Sequence, residues 1–373
     1  IDYTQHACDY PDLSSSPSSI NNKGQQYPPL EKLSDIYERW PQDEIDNPPT
    51  PFVEKLLHFD YLNPMEMEEA IKLRDVELPF KVYNVPEIDA ATLKWTDEYV
   101  ASNFISRYDE KNKKHKKSIA KGFAQESPNN FFTFFLGTTW NTGTMGPPPT
   151  RDNDWSYATW AKHARYADRV QLPFHEPHYY WQSSVSAKER SNSKDTWCFI
   201  SRDLPSFSNP EPTFFGFDPP EQKGIQCRFG ERGVTAATHY DSGRNMVAMV
   251  SGAKRYVLAP PNQCAKLGVV TSKYHPTYRH SVLNFGHLNL LDDPNIKSMP
   301  EGERRWLEIA SNSLAVETVL KAGEVLYIPS HWFHYITSLQ KSAQCNTRSG
   351  FPEKSNPVFG GKEEVEKCMG EDA

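Results

Sequence analysis

Between Gly224 and Thr347 apolar residues come in short runs separated by turn-forming residues. The runs Gly224–Phe229, Thr235–Asp241, Met246–Val250, Arg255–Ala259, Ala315–Leu320, Val325–Ile328, His334–Ser338 and Ala343–Thr347 are strand-sized and rich in β-branched and aromatic residues. Thr196–Ser201 is expected to be a further strand before them. Many short strands with turn signals between them predict a barrel or sandwich.

Upstream the period changes. Leu30–Trp40, Phe52–Ile71, Ala90–Arg107 and Trp155–Val170 carry apolar residues at three- and four-residue spacing, which predicts helices. In the second, Asn63 is placed to cap a helix that begins at Pro64. The fourth would turn Trp155, Ala158, Tyr166 and Val170 towards a core. Leu78–Pro86 alternates like an edge strand, and Phe131–Leu136 reads as a buried strand before the Gly/Thr/Pro-rich breaker at 137–150. Glu301–Leu307 reads as a helix within a long connection. The chain is thus mainly β with flanking helices, an α+β class. We divide it into a Pro/Ser-rich extension at 1–51 that buries little, a helix and strand layer at 52–178, a barrel at 179–350 with an insertion at 265–315, and an acidic tail at 351–373 that docks weakly or not at all.

Composition narrows the function. A net charge of −7 disfavours an electrostatic nucleic-acid binder. The dense basic run Lys111–Lys117 reads as a solvated turn rather than a site for an acidic peptide or nucleic acid. The six cysteines are scattered with no CxxC, so most are read as buried thiols. No apolar run is long enough to span a membrane. The first residue is Ile1 rather than Met, which points to a removed leader, anchor or longer N-terminus. The absence of an Asn-x-Ser/Thr acceptor favours a cytoplasmic or nuclear protein.

The chemistry concentrates around His239 and Asp241. Two residues apart on a strand, both side chains leave the same face and can meet one divalent metal. His334, at the end of a later apolar strand, can supply a third ligand. Two His and one carboxylate leave open positions, as non-haem Fe(II) requires, although zinc also accepts this set. Lys254, on the next strand, is a candidate fixed cation for a carboxylate, and Asn245 and Asn346 are polar positions in or beside apolar strands. His163 reads as a helix-surface residue, and His175 and His178, with Pro177 between them, read as a loop feature.

His239-Tyr240-Asp241, Asn245, Gly252-x-Lys254, Pro260-Pro261, Gly323-Glu324-x-Leu326-x-Ile328-Pro329, Trp332-x-His334 and Asn346 resemble the JmjC (cupin-like) 2-oxoglutarate oxygenases. Tyr180-x-Gln182 makes the chain most similar to the branch typified by the asparaginyl hydroxylase that inhibits hypoxia-inducible factor. The resemblance covers roughly 179–350 and implies a double-stranded β-helix. It also implies Fe(II) on His239, Asp241 and His334, with O2 and 2-oxoglutarate as cosubstrates. Lys254 and Tyr180 would hold the distal carboxylate of 2-oxoglutarate, assisted by Asn245, Asn346 and Thr238, while Gln182 and Arg244 would face the substrate. The implied reaction hydroxylates a protein or peptide side chain, with succinate and CO2 as coproducts. Demethylation, or action on a tRNA base or a small molecule, stays open. One position departs from the pattern: Ala236 stands where the family has a carboxylate-binding Thr. Either a bulge turns Thr235 or Thr238 inward or the cosubstrate pocket is altered, and an inactive cupin-like scaffold remains the rival reading. A zinc hydrolase would need a general base that the matched residues do not offer. The few residues after Asn346 favour a monomer over a homodimer.

Overall fold

A computed structural model describes residues 8–9, 27–106, 120–185, 199–209, 211–216, 218, 224–291 and 299–370. The basic run at 111–117 and the serine cluster at 14–19 lie outside them. In chain order the strands are β1 (Cys8–Asp9), β2 (Glu31–Lys32), β3 (Phe52–Val53), β4 (His58–Asp60), β5 (Phe80–Tyr83), β6 (Phe104–Ser106), β7 (Ala120–Ser127), β8 (Phe131–Phe132), β9 (Arg151–Asn153), β10 (His178–Val185), β11 (Ile225–Gly230), β12 (Thr235–Tyr240), β13 (Asn245–Ser251), β14 (Ala253–Ala259), β15 (Leu314–Lys321), β16 (Val325–Ile328), β17 (Phe333–Ser338) and β18 (Ser342–Arg348).

From β11 onward the chain shuttles between two sheets, ordered β16-β13-β18-β11 and β15-β14-β17-β12. Every pairing within them is antiparallel, giving the jelly-roll core of a double-stranded β-helix. The first sheet is widened by β5 and β4 beside β16 and by β10, β7, β6 and β9 beyond β11. β2 and β8 extend the second at its two edges.

The two-residue period of each strand decides what faces the interior. Tyr180 and Gln182 of β10, Gln226 and Arg228 of β11, and Gln344, Asn346 and Arg348 of β18 line a central cavity. Their neighbours Trp181, Cys227, Phe229 and Cys345 face outward into an apolar layer with Trp160 and Tyr157 of the helix Tyr157–Val170. On the second sheet Tyr256, His334 and Ile336 face in. Val257, Ala259, Phe333 and Tyr335 face out, against Leu33, Ile36 and Tyr37 of the helix Leu33–Arg39, Leu307 and Ala310 of Glu301–Ser311, and Val365 and Met369 of Lys362–Met369. No helix among the described residues is long and apolar enough to cross a membrane.

Several expectations need correction. The tail does dock: Val365 and Met369 are buried, and Cys368 is bonded to Cys264. A second disulfide joins Cys227 to Cys345, directly opposite in the β11–β18 ladder, so four of the six cysteines are not free thiols. Residues 27–51 are not a loose wrap, because Leu33, Ile36, Tyr37, Trp40 and Ile45 are fully buried. Phe52–Val53 and His58–Asp60 form β3 and β4, and the helix runs over Pro64–Asp75, with the Asn63 side chain accepting from the Met65 N–H at 3.1 Å as expected. β5 is an interior strand, paired with β4 and β16, since Pro79 and Pro86 lie outside its ladder. The helical stretch at 90–107 breaks at Trp95, and Thr96 caps a second helix, Asp97–Asn103, before β6. Helix Tyr157–Val170 turns Trp160, Ala161, Ala164 and Ala167 inward and leaves Ala158, Tyr166 and Val170 exposed, because small alanines let it approach the sheet closely. Residues 199–203 are helical rather than extended. Of the run at 131–136 only Phe131 and Phe132 join a sheet, as β8.

Candidate active site

His239 and His334 face each other as a cross-strand pair between β12 and β17. Asp241 follows just beyond the end of β12, where its backbone oxygen accepts the His331 N–H at 2.8 Å and ties the two ligand-bearing segments together. The ligand atoms of His239, Asp241 and His334 all lie within 4.8 Å of one another. Among the described residues no other group of three or more His, Cys, Asp or Glu gathers its ligand atoms in this way.

The donor set suits a cation. Nδ1 of His239 lies 2.8 Å from the Ala237 carbonyl, and Nδ1 of His334 lies 3.1 Å from the Trp332 carbonyl. Each contact calls for the proton on Nδ1, which leaves the Nε2 lone pairs directed at each other across 3.1 Å. Two facing lone pairs repel unless a metal sits between them and Asp241, whose Oδ2 is 3.9 Å from His334 Nε2. Burial, aided by the neighbouring His334, lowers His239 to about 3, and burial likewise lowers His334, so both imidazoles are neutral and ready to ligate. Burial alone would raise Asp241, but the Arg348 guanidinium facing it is the largest influence that brings it down, to about 2.

Asp241 is also fixed in direction. Arg348 Nη1 donates to Oδ1 at 2.6 Å, and Asn245 Nδ2 donates to Oδ2 at 3.2 Å. Asn346 Nδ2 donates in turn to Asn245 Oδ1 at 3.0 Å. Both asparagines therefore orient the Asp241 carboxylate through a relay.

The triad opens into a cavity of about 780 Å³ whose walls include Tyr180, Gln182, Asn245, Val247, Ile328 and Asn346. Gln182 donates to Gln125 at 2.7 Å, and the Tyr256 hydroxyl donates to Gln344 at 2.5 Å. Lys254 is buried on the same strand face as Tyr256, its Nζ 5.3 Å from the centre of the Tyr180 ring. Burial, reinforced by Arg228, lowers Lys254 to about 7, and burial raises Tyr180 to about 12.

The register of β12 against β17 does shift between Ala236 and His239, as a bulge would require, but the shift presents Ala236 and Ala237 to the cavity. Thr235 points away, its hydroxyl bonded to the Gly233 carbonyl and to Gln42. Thr238 is buried and does not line the cavity. Arg244, expected at the substrate, is paired with Glu77 and lies off the cavity wall. Residues that the sequence reading missed stand in its place. Arg228 and Arg348 share the two-residue period of Gln226 and Asn346, which is the signal that could have found them. Arg279 and His280 come from the insertion, where no periodicity marks them. The His280 ring stacks on His239 at 4.8 Å and on Phe134 at 5.0 Å, walling the cavity beside the triad. His163 is held by Glu231 at 2.8 Å, away from the triad.

Comparison with known proteins places this arrangement. The chain is 29% identical over 154 residues to a protein named lysine-specific demethylase JMJ31 from Arabidopsis thaliana, covering 40% of this chain and 25% of that protein. It is 31% identical over 129 residues to an HSPB1-associated protein 1 homolog from Danio rerio, covering 34% of this chain and 25% of that one. It is 32% identical over 111 residues to tRNA wybutosine-synthesizing protein 5 from Homo sapiens, covering 30% and 29%. The match thus spans between a quarter and a third of these relatives' own lengths. Residues 74–348 match the family described as the cupin-like domain, and with the jelly roll and the triad carried inside that span, the chain belongs to the cupin-like domain family.

Proposed function

We propose that the chain is an Fe(II)- and 2-oxoglutarate-dependent dioxygenase that hydroxylates an amino-acid side chain of a protein or peptide, releasing succinate and CO2. The observation that carries this reading is a preoriented His-Asp-His face opening into a cavity lined by Tyr180, with the buried Lys254 ammonium, which has no carboxylate partner among the described residues, lying against the Tyr180 ring. When bound, iron and the 2-oxo acid supply the dioxygen chemistry that oxidises a C–H bond. His239, Asp241 and His334 would hold the metal. Asn245, Asn346 and Arg348 keep the Asp241 carboxylate turned towards it. Lys254 and Tyr180 would receive the distal carboxylate of the 2-oxo acid, while Val247, Ile328, Ile336 and Phe132 supply apolar stretches of the cavity wall.

Substrate class is argued from Gln182. It lines the cavity in the Tyr180-x-Gln182 segment that resembles the asparaginyl-hydroxylase branch, which supports a protein side chain. A second reading, removal of an N-methyl group or modification of a tRNA base, is favoured by the names of the relatives.

Succinate release from 2-oxoglutarate by anaerobically purified, Fe(II)-loaded protein, assayed on exposure to air, tests the reading. Turnover that disappears in His239→Ala is the expected result, and substrate peptides and tRNA added separately would then divide the two readings. No turnover and no 2-oxoglutarate binding would leave a scaffold protein on a cupin-like barrel.

A further inference from the structure

Arg228 has no part in the functional reading above, yet this half-buried side chain differs in its surroundings from the buried cations of the fold. It lies in the middle of β11, directly opposite Gln182 of β10 on one side and Gln344 of β18 on the other, and it lines the cavity. Among the described residues its guanidinium reaches only the Cys227 carbonyl at 3.2 Å and, at 3.5 Å, the Ser183 carbonyl and Gln226 Oε1. Elsewhere the fold offsets its buried cations: Lys81 with Glu54, Arg232 with Asp46 and Arg255 with Glu317. Among the described residues, no carboxylate lies within ion-pair distance of Arg228 or of Lys254.

Removing a charge from water without a partner is costly, so an unpaired guanidinium on the cavity wall and an unpaired buried ammonium against the ring of Tyr180, which lines the same cavity, mark a place whose counter-charge arrives with a ligand. The two enter from opposite sheets, Arg228 from β11 and Lys254 from β14, with the Tyr180 ring 5.3 Å from the ammonium. They are close enough that the charge on Arg228 adds to burial in depressing the Lys254 ammonium. Arg348, the neighbouring guanidinium, is already committed to Asp241 and is not available for the same task. On the same cavity wall Ala236 offers no hydroxyl to a carboxylate.

We propose that Arg228 is a second fixed cation for the distal carboxylate of the 2-oxo acid, gripping it from the sheet opposite Lys254 and supplying the contact that Ala236 cannot make. The inference rests on the functional reading above and deepens it. A planar guanidinium can meet a carboxylate through two parallel hydrogen bonds, which an ammonium cannot do. The pocket therefore selects 2-oxo dicarboxylates over 2-oxo monocarboxylates, and Arg228 is a specificity-determining residue.

The test is calorimetric and needs no turnover. The full chain, loaded with Mn(II), is titrated with 2-oxoglutarate and with 2-oxobutanoate, which keeps the chelating end and lacks the distal carboxylate. Arg228→Leu should weaken 2-oxoglutarate by about ten- to a hundredfold, the scale of a hydrogen bond to a charged group. The same substitution should leave 2-oxobutanoate unchanged, and Arg228→Lys should recover part of the loss. Circular dichroism checks the fold, and Arg228→Gln carries the same comparison if the leucine variant fails to fold. Equal weakening of both ligands, or of neither, overturns the proposal while leaving the oxygenase reading intact. A wild-type protein that binds neither ligand overturns that reading and this proposal with it.

Discussion

Burial, with Arg228 beside it, brings the Lys254 ammonium down to about 7, so near neutral pH much of its charge waits on an incoming anion. An unfolded lysine keeps its proton to about pH 10.4. Between the two values the unfolded chain binds more protons than the folded one, so this residue makes stability rise with pH across that window. Ligand binding has the opposite sign, because a dicarboxylate restores the charge. Calorimetry at pH 8 in buffers of different ionisation heat should show proton uptake when 2-oxoglutarate binds, and Lys254→Met should remove it. Binding without proton uptake would mean that the anion sits elsewhere. Arg348 makes a second prediction. It holds Asp241 at 2.6 Å and contributes to keeping that carboxyl at about 2. Arg348→Met should weaken Mn(II) binding by about ten- to a hundredfold, as the loss of a ligand-orienting partner does. Unchanged metal affinity would remove Arg348 from the site.

How much of the site was legible follows from these residues. His239 and Asp241 could be read because a spacing of two on a strand fixes a shared face, and His334 because it closes an apolar run. Arg228 could not be separated from an ordinary strand residue until the pairing of β10, β11 and β18 placed it among Gln182, Gln344 and the cavity. His280 reaches His239 through an isolated bridge made by an irregular insertion, and no local pattern encodes that contact.

At the scale of elements, the eight strands β11 to β18 were legible to within two residues because they are apolar runs bounded by turn-forming residues, whereas β7 was not anticipated and 199–203 proved helical. Failures came where tertiary contacts outweighed local pattern. The alanine face of helix Tyr157–Val170 is apolar but small, so the larger exposed Tyr166 and Val170 masked it. The helix Lys362–Met369 is charged on its outer face and short, and what seats it is Val365, Met369 and the Cys368 bond to Cys264. That bond joins residues 104 apart, so it withdraws much conformational freedom from the unfolded chain. Cys264→Ser/Cys368→Ser should cost about 2–4 kcal/mol in urea unfolding, and reducing agent should lower the melting temperature of the wild type but not of the double variant by this route. A variant as stable as the wild type would contradict the role given to the tail.

For the molecule as a whole, the barrel is closed by segments distant in sequence. Helix Leu33–Arg39 and residues up to Ile45 cover the second sheet, and the buried Arg255 guanidinium donates to the Trp40 carbonyl at 2.7 Å as well as to Glu317. A chain beginning at residue 52 loses that cover and leaves Arg255 short of an acceptor. It should melt at lower temperature and bind an apolar dye, and an unchanged melting temperature would show the extension to be dispensable. Around the triad, both sheets and the insertion contribute side chains to one chamber, which is why the site depends on the whole fold rather than on any one motif.

The most direct measurement is an anaerobic visible spectrum of the Fe(II)-loaded chain during titration with 2-oxoglutarate. Chelation of the 2-oxo acid by iron on His239, Asp241 and His334 predicts a charge-transfer band that grows to saturation at one ligand per chain and is lost in His239→Ala and Asp241→Ala. A wild-type protein that binds iron through these residues yet gives no band at any 2-oxoglutarate concentration would contradict the account.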